Sequence, residues 1–282
     1  MPGGTGLLNF QKKFPERTFD VGIAEEHAVS MAGGLAKQGM TPVVALYSTF
    51  QQRGFDQIMQ EVGLLHLPVI FAIDRAGLGG DDGPTHHGGF DIGFLRQVPG
   101  MRILAPASML EQQQMLRWAA ENCNGPVAIR YPRGTEGCYH ASDWQGMDGE
   151  LVKCLRQGKD ITLITYGSLL TNVLDAAQML SQQGIAVTVL RLLSLGKLPA
   201  REVLTKITGR TVVILEETAA ASGIREALAW ELTRLCPECT VYGMDLGADF
   251  VHHGNQKLLY KHCGLDEASI ARFVKEVLSH EN

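Results

Sequence analysis

Short apolar runs alternate with longer amphipathic segments along the first half of the chain. The short runs are rich in β-branched residues, which favours strands, and the longer segments repeat their apolar residues with helical spacing. Strands separated by whole helices need crossover connections and therefore pair in parallel. The predicted strands are 18–22, 42–47, 68–74, 102–105 and 127–131, and the predicted helices are 25–37, 50–65 and 108–122.

The second half repeats this alternation, so the chain is predicted to be α/β, with two tandem three-layer domains of mostly parallel sheets. We expect the first domain at residues 1–135, a linker at 136–155 and the second domain at 156–282. Residues 1–6 have the composition of a loop that follows a strand, so the first domain is expected to lack its first strand. The predicted strands of the second half are 161–166, 186–191, 211–216 and 240–244, and its helices are 169–183, 201–208, 222–235 and 266–279.

The composition argues against several classes of function. The net charge of −5 and the pI near 6.0 give no general reason to bind nucleic acid or an anionic membrane. The longest apolar runs fall far short of the roughly 20 residues of a transmembrane helix, and no secretory leader opens the chain. Six scattered cysteines are typical of reduced thiols in a cytoplasmic protein. Cys236-Pro-Glu-Cys239 is expected to be an incidental pair, because a zinc site needs about four ligands.

Two acids and an aromatic–arginine pair stand where predicted strands end. Glu25 and Glu26 fall in the first turn of a helix, where the dipole favours negative charge. Capping would explain them, but the carboxyl edge of an open parallel sheet is also where ligands bind. After the next strand, Phe50 and Arg53 share one face of a helical turn. They could hold a flat heterocycle, or simply pack a helix start against its neighbour.

A glycine-rich loop, residues 76–89, follows the third predicted strand and carries Asp82, His86 and His87. The dinucleotide-binding pattern fails because Asp82 stands where its third glycine belongs. The glycines favour close approach of the backbone to a ligand, and the imidazoles can titrate near neutral pH. A metal site is the alternative, although the spacing of possible ligands is not typical of one.

Two arginines lie at one rim of the predicted first sheet. Arg75 ends the third strand, and Arg133 lies just past Pro132, which stops strand pairing. Planar guanidinium groups bind phosphate through paired hydrogen bonds, so the two predict a phosphate clamp. Surface arginines without such a role are the alternative.

These residues carry a resemblance to the 1-deoxy-D-xylulose-5-phosphate synthases, a thiamin-diphosphate-dependent family of the transketolase superfamily. The similarity is in register from Met1 to about Gly134 and looser towards the C-terminus. Five motifs occur in the family's order: Phe19-Asp-Val-Gly-Ile-Ala-Glu-Glu-His-Ala, Tyr47-Ser-Thr-Phe-x-Gln-Arg, Ile73-Asp-Arg-Ala-Gly, Asp82-Gly-Pro-Thr-His and Arg130-Tyr-Pro-Arg-Gly.

The resemblance implies a pyrimidine-binding domain followed by a transketolase C-terminal domain. It implies condensation of pyruvate with D-glyceraldehyde 3-phosphate, with loss of CO2, to supply isoprenoid, thiamin and pyridoxal precursors. Thiamin diphosphate would be the cofactor, with Mg²⁺ held by an N-terminal diphosphate-binding domain or subunit that this chain lacks. A homodimer is also implied.

The resemblance assigns roles to individual residues. Glu25 matches the glutamate that hydrogen-bonds N1′ of the cofactor's aminopyrimidine, and Phe50 matches the ring that stacks on it. The other matches are Arg53 in the cofactor pocket, Asp82 and His86 in proton handling, Tyr47 and His86 in the substrate pocket, and Arg75 and Arg133 at the acceptor phosphate.

The chain departs from the family's pattern in two residues and one module. Glu26 and His87 stand where the family would have glutamine. The Gly-Asp-Gly motif with a downstream asparagine, which marks the Mg²⁺–diphosphate domain, is missing from this sequence. We therefore expect a chain that is inactive without that domain. Two alternatives stay open: the small subunit of a split transketolase acting on another sugar phosphate, and a non-catalytic remnant that docks on a partner through its truncated sheet edge.

Overall fold

The first sheet has four parallel strands in the part of the chain that the structure, a computed structural model, describes: residues 2–280. Their order is β1-β2-β4-β3, and the central strands β2 and β4 are buried along nearly their whole length, as their apolar sequences require. Four of the five strands predicted for the first half are thereby confirmed. The strands are β1 (Val43–Tyr47), β2 (Ile70–Asp74), β3 (Arg102–Leu104) and β4 (Val127–Arg130).

The helices of the first half agree with the prediction at 25–37 and 108–122. The helix predicted at 50–65 is an irregular segment, in which a 3₁₀ turn (Ser48–Gly54) precedes a short α-helix and a π turn (Ile58–Gly63) follows it. The helices are α1 (Leu8–Lys13), α2 (Glu25–Lys37), α3 (Phe55–Gln57), α4 (Asp91–Leu95) and α5 (Met109–Asn122).

The strand predicted at 18–22 is wrong. Asp20 Oδ1 accepts a hydrogen bond from the Gly22 N–H group, and Gly22 has a φ of +70°, so a turn interrupts the extended run. Phe19 is 60% exposed and packs into neither sheet. The segment therefore runs as a loop to the start of α2.

The second sheet has five strands in the described part of the chain, in the order β5-β7-β6-β8-β9. β5 is antiparallel to β7, and the other pairs are parallel. β5 lies where a linker was expected, whereas the four predicted strands are confirmed. The strands are β5 (Val152–Arg156), β6 (Ile161–Tyr166), β7 (Val187–Leu192), β8 (Thr211–Leu215) and β9 (Thr240–Met244).

Apolar side chains cover both faces of this second sheet. Leu163 and Ile164, adjacent on β6, belong to two different buried clusters, because successive side chains of a strand point to opposite faces. This arrangement confirms the predicted layers of helix, sheet and helix. The helices of the second half are α6 (Leu170–Gln182), α7 (Ala200–Leu204), α8 (Arg225–Leu235), α9 (Gln256–His262) and α10 (Glu267–His280), of which α9 was not predicted.

Cys236 and Cys239 form a disulfide just after α8, so the expectation of two reduced thiols there is wrong. Their Cα atoms are 5.5 Å apart, within the range that a disulfide spans. The other four cysteines are free. Across residues 2–280, no helix combines the length and apolar character that crossing a membrane would need.

A buried ion pair joins the two domains. Arg191 of β7 and Glu111 of α5 are both fully buried and contact each other, and Arg191 Nη1 lies 3.2 Å from Asp143 Oδ2. Glu111 also caps its own helix, because its carboxylate accepts the Ala107 N–H group while Ser108 Oγ accepts the Glu111 N–H group. The side chains of Ser108 and Glu111 thus cap the start of α5, and the acid serves the domain interface as well.

We expect Glu111→Ala to lower the free energy of unfolding by about 3 kcal/mol, because the buried Arg191 loses its buried partner and keeps only the partly exposed Asp143. Urea denaturation of the variant measures the change. Glu121→Ala, at an exposed position of the same helix, is the control and should shift stability by less than about 0.5 kcal/mol. Equal effects of the two substitutions would contradict the role assigned to the pair.

Candidate active site

Glu25 opens α2 with a side chain that is only 7% exposed. The helix N-terminus stabilises its charge, and Arg53 Nη1 lies 3.3 Å from both carboxylate oxygens. The 3₁₀ turn that carries Arg53 packs tightly against α2, since a Cβ atom on Gly54 would lie 3.1 Å from Val29 Cγ2. Two elements that are distant in sequence thus present a carboxylate and a guanidinium to each other.

Phe50 connects this pair to the glycine-rich loop. Arg53 Cζ lies 5.2 Å from the centroid of the Phe50 ring, so one guanidinium contacts both the ring and the Glu25 carboxylate. The Phe50 ring stacks on Tyr47 with centroids 5.5 Å apart and meets His86 edge-on at 5.1 Å. The predicted aromatic–arginine pair is therefore part of a cluster of three rings.

Arg75 leaves β2 in the left-handed backbone conformation, with a φ of +60°, which is uncommon for a residue with a side chain. Its N–H group donates to Asp74 Oδ1 at 2.7 Å, and its Cζ lies 3.6 Å from the centroid of the Tyr47 ring. Burial raises the pKa of Asp74, although the Arg75 N–H group and guanidinium oppose this effect. The strand end thus turns the guanidinium back over the sheet edge.

Asp82 brings the two predicted arginines together. Its Oδ2 atom lies 2.6 Å from Arg133 Nη1 and 3.4 Å from Arg75 Nε. Arg75 Nη1 also donates to the Gly4 carbonyl at 3.2 Å. Two guanidinium groups converge on one anionic oxygen, which is the arrangement that a phosphate clamp requires.

The predicted site residues form one continuous network of contacts. Tyr47 joins its two parts, because its ring stacks on Phe50 and also lies under the Arg75 guanidinium. His86 lies beside both rings, 5.1 Å from Phe50 and 6.1 Å from Tyr47, and its Nδ1 atom lies 2.8 Å from Thr85 Oγ1. Among residues 2–280, no three histidine, cysteine or acidic side chains come together as a metal site would need. The network contains Glu25, Arg53, Phe50, His86, Tyr47, Arg75, Asp82 and Arg133.

His87 differs from its neighbour because both of its ring nitrogens are engaged. The Gly79 N–H group donates to Nδ1 at 2.9 Å, so in the neutral ring Nε2 carries the proton and donates to the His252 carbonyl at 3.1 Å. The ring is buried. We interpret His87 as a tie between the loop and the second domain, and not as a side chain available to a ligand.

Beneath the loop lies a buried ion pair that sequence analysis missed. Arg130 Nε donates to Asp91 Oδ2 at 2.9 Å, and Arg130 Nη2 lies 3.4 Å from the Gly88 carbonyl oxygen. Burial lowers the pKa of Arg130, but the Asp91 carboxylate, together with Tyr166 and Glu217, outweighs it and the net shift is upward. Nothing in the sequence connects two residues 39 positions apart, although Arg130 does stand in a recognisable motif.

Gln51 was also overlooked, since it occupies the variable position of the Tyr47 motif. It is fully buried, and neither its Oε1 nor its Nε2 atom has a protein partner. Ser48 Oγ, one turn earlier, is also buried without a protein partner. The floor of the site thus contains polar atoms that the surrounding protein does not satisfy.

Two family models match this chain. Residues 1–136 match the model described as transketolase, pyrimidine binding domain, and residues 150–270 match the one described as transketolase, C-terminal domain. Curated relatives are similar along nearly the whole chain. The 1-deoxy-D-xylulose-5-phosphate synthase of Clostridium kluyveri is 40% identical over 99% of the chain, and that of Gloeobacter violaceus is 42% identical over all of it. The chain spans 44% of the length of each of these relatives.

A solved structure described as a split gene transketolase, in the form of an inactive β4 tetramer, has the same fold. It superposes with a TM-score of 0.82 at 29% identity, covering 96% of this chain and 87% of the other. The predicted arrangement of two α/β domains therefore agrees both with the family models and with a solved structure.

We expect Gln51→Leu to raise the free energy of unfolding by about 1 to 2 kcal/mol, because it removes a buried amide without protein partners at little change in volume. Thermal and urea denaturation measure the effect. Gln52→Leu, at the exposed neighbouring position, is the matched control and should leave stability nearly unchanged. A loss of stability in Gln51→Leu would show that the amide makes a bond on which the fold depends.

Proposed function

Because the chain belongs to the transketolase family, we propose that it is the pyrimidine-binding and C-terminal part of a thiamin-diphosphate-dependent 1-deoxy-D-xylulose-5-phosphate synthase. The observation that carries the proposal is the unbroken network from the Glu25 carboxylate to the Arg75–Arg133 clamp. We infer from this network a pyrimidine-type site beside a phosphate-type site. The relatives named as this synthase, 40% to 42% identical along the chain, support the choice of reaction.

The residues around Glu25 fit the aminopyrimidine end of thiamin diphosphate. The planar guanidinium of Arg53 already contacts a ring face and a buried carboxylate, which are the two surfaces that a planar nitrogen heterocycle needs. Phe50 would hold the face of the pyrimidine, Glu25 would bond its ring nitrogen, and Arg53 would remain in the cofactor pocket. When bound, the cofactor supplies the electron sink for decarboxylation of pyruvate.

The other end of the network suits the phosphorylated acceptor, D-glyceraldehyde 3-phosphate. Arg75 and Arg133 would bind its phosphate. In the structure both guanidinium groups contact the Asp82 carboxylate. His86, beside Phe50 and Tyr47, and Asp82, at the two arginines, would hold or move a proton. Tyr47 would line the substrate pocket, because its ring lies between Phe50 and Arg75.

The diphosphate and Mg²⁺ would be bound outside this chain, by an N-terminal domain or subunit. The length of the relatives leaves room for such a domain, since the chain spans 44% of them. Phe19 and Ile23, which precede Glu25, are 60% and 76% exposed and offer an apolar surface for it. We propose that the assembled enzyme is a cytoplasmic homodimer.

A second candidate is the small subunit of a split transketolase that acts on another sugar phosphate. The structural similarity to the split gene transketolase favours it. The two reactions differ in the donor: a transketolase takes a two-carbon unit from a ketose phosphate, whereas the synthase releases CO2 from pyruvate. The third candidate is the non-catalytic remnant. It predicts that no N-terminal partner restores turnover, either of pyruvate or of a ketose phosphate.

Titration of thiamin diphosphate and Mg²⁺ into the chain alone, and then into the chain with an N-terminal diphosphate-binding partner, tests the proposal. We expect CO2 release from pyruvate only with the partner present. Turnover by the isolated chain would refute the proposed division of the site, and turnover of ketose phosphates without CO2 release would favour the split transketolase.

In the reconstituted enzyme, we expect Glu25→Gln to lower kcat by about 10² to 10⁴-fold, because a carboxylate that exchanges a proton with the pyrimidine is lost. Steady-state CO2 release measures the change. Glu26→Gln replaces the exposed neighbour with the residue that the family pattern favours, and should retain most of the activity. Equal losses in both variants would count against the role of Glu25.

We expect Arg133→Ala to raise the KM for D-glyceraldehyde 3-phosphate about 10 to 100-fold, because a charge-assisted bond to the phosphate is lost. The KM for pyruvate should stay the same, and unphosphorylated glyceraldehyde should be used equally by variant and parent. Arg117→Ala, on the exposed face of α5, is the control. A parallel rise in the KM for pyruvate would contradict the assignment.

A further inference from the structure

The glycine-rich loop of the first domain inserts a side chain into the core of the second. Leu78 has no exposed surface and belongs to the apolar cluster of the second domain. Its fellow members include Leu169 after β6, Leu215 at the end of β8 and Leu246 after β9. The loop thus sits at the carboxyl edge of the second sheet while it carries Asp82 and His86 towards the first.

The place that Leu78 occupies is the topological switch point of the second sheet. The chain leaves β6 towards β7 on one side and returns to pair with β6 on the other side as β8. Open α/β sheets bind ligands in the crevice that such a reversal creates at the carboxyl ends of the strands. In this protein the crevice holds a segment of the protein's own chain.

Polar groups of the second domain hold the inserted segment. Gln256 Nε2 donates to the Leu78 carbonyl at 2.9 Å. Glu217 accepts hydrogen bonds from Ser168 Oγ at 2.8 Å and from Tyr260 OH at 2.5 Å, and its side chain packs against Gly77. A Cβ atom on Gly77 would lie 2.7 Å from Glu217 Oε1, and Gly77 has a φ of +75°, so only glycine fits there.

The flanks of the loop are held in the same way. His87 bonds the His252 carbonyl, and the Ala219 N–H group donates to the Gly89 carbonyl at 2.9 Å. Gly254 N–H reaches the Gly80 carbonyl at 3.4 Å. The inner side of the loop is therefore fixed by the second domain at several points between Gly77 and Gly89, while Asp82 and His86 remain on its outer side.

We propose that the switch-point crevice of the second domain is the seat of the glycine-rich loop, and that Leu78 and Gln256 are positioning residues for Asp82 and His86. They act by holding the backbone from which these two side chains project. The catalytic consequence rests on the proposed function, whereas the seating of the loop does not.

Amide hydrogen exchange of the full chain, measured by mass spectrometry, tests the seating of the loop and does not depend on catalytic activity. We expect Leu78→Ala and Gln256→Ala to speed exchange in peptides from residues 77–90 about tenfold, while peptides from β2 and β6 keep their parent rates. Leu258→Ala, at an exposed position of α9, is the control. Unchanged exchange in residues 77–90, or equal acceleration throughout the chain, would overturn the proposal. Should Leu78→Ala fail to fold, Gln256→Ala carries the test.

Kinetics of the enzyme reconstituted with its N-terminal partner supply the second measurement. We expect both variants to raise the KM for D-glyceraldehyde 3-phosphate severalfold at unchanged KM for pyruvate, and Leu78→Met to restore the parent value, because it refills the crevice. An equal loss of kcat for every donor and acceptor, without rescue by methionine, would indicate a merely structural role and overturn the assignment. If the parent enzyme shows no turnover, the proposed function is refuted. The hydrogen-exchange result then decides by itself whether the loop is seated in the crevice.

Discussion

The buried pair between Arg130 and Asp91 is the interaction on which the candidate site depends. Taking a guanidinium out of water is costly, and this one is tolerated because Asp91 faces it at 2.9 Å with no exposed surface of its own. The same guanidinium reaches the Gly88 carbonyl, so the end of the glycine-rich loop is tied to β4. Loss of the pair would release both the loop and the start of α4.

The other end of the loop is fixed by an unfavourable backbone conformation. A non-glycine residue in the left-handed region costs of order 1 to 3 kcal/mol, which the surroundings must offset. At Arg75 they do so through the Asp74 carboxylate and the face of the Tyr47 ring. Because the main chain turns back here, the guanidinium points across the sheet edge at Asp82. Because both of its ends are held, the loop keeps Asp82 and His86 in place at the candidate site.

The sequence could predict which residues at strand ends meet, because parallel strands bring their carboxyl ends to one edge. No further information was needed to place together Tyr47, Arg75 and Arg133, which end or follow β1, β2 and β4. Glu25 joins them from a loop, although a strand was predicted before it. The turn at Gly22 was missed because Val21 and Ile23 around it read as an apolar strand. Partners that lie far apart in sequence, such as His87 and His252 or Glu111 and Arg191, leave no periodic signal at all. The burial of Gln51 was missed for a different reason, since an amide in a polar motif suggests an exposed position.

Arg53 is the counter-ion of Glu25 in the protein without a ligand. A carboxylate as buried as Glu25 would be strongly disfavoured if left alone in the protein interior. The guanidinium supplies its counter-charge, but at 3.3 Å from both oxygens the contact is long, and half of the Arg53 side chain remains in solvent. A long, half-solvated ion pair is weak and can rearrange at little cost. The interaction therefore compensates the Glu25 charge in the folded protein, and under the proposed function it would yield to a planar ligand that offers the carboxylate a shorter bond.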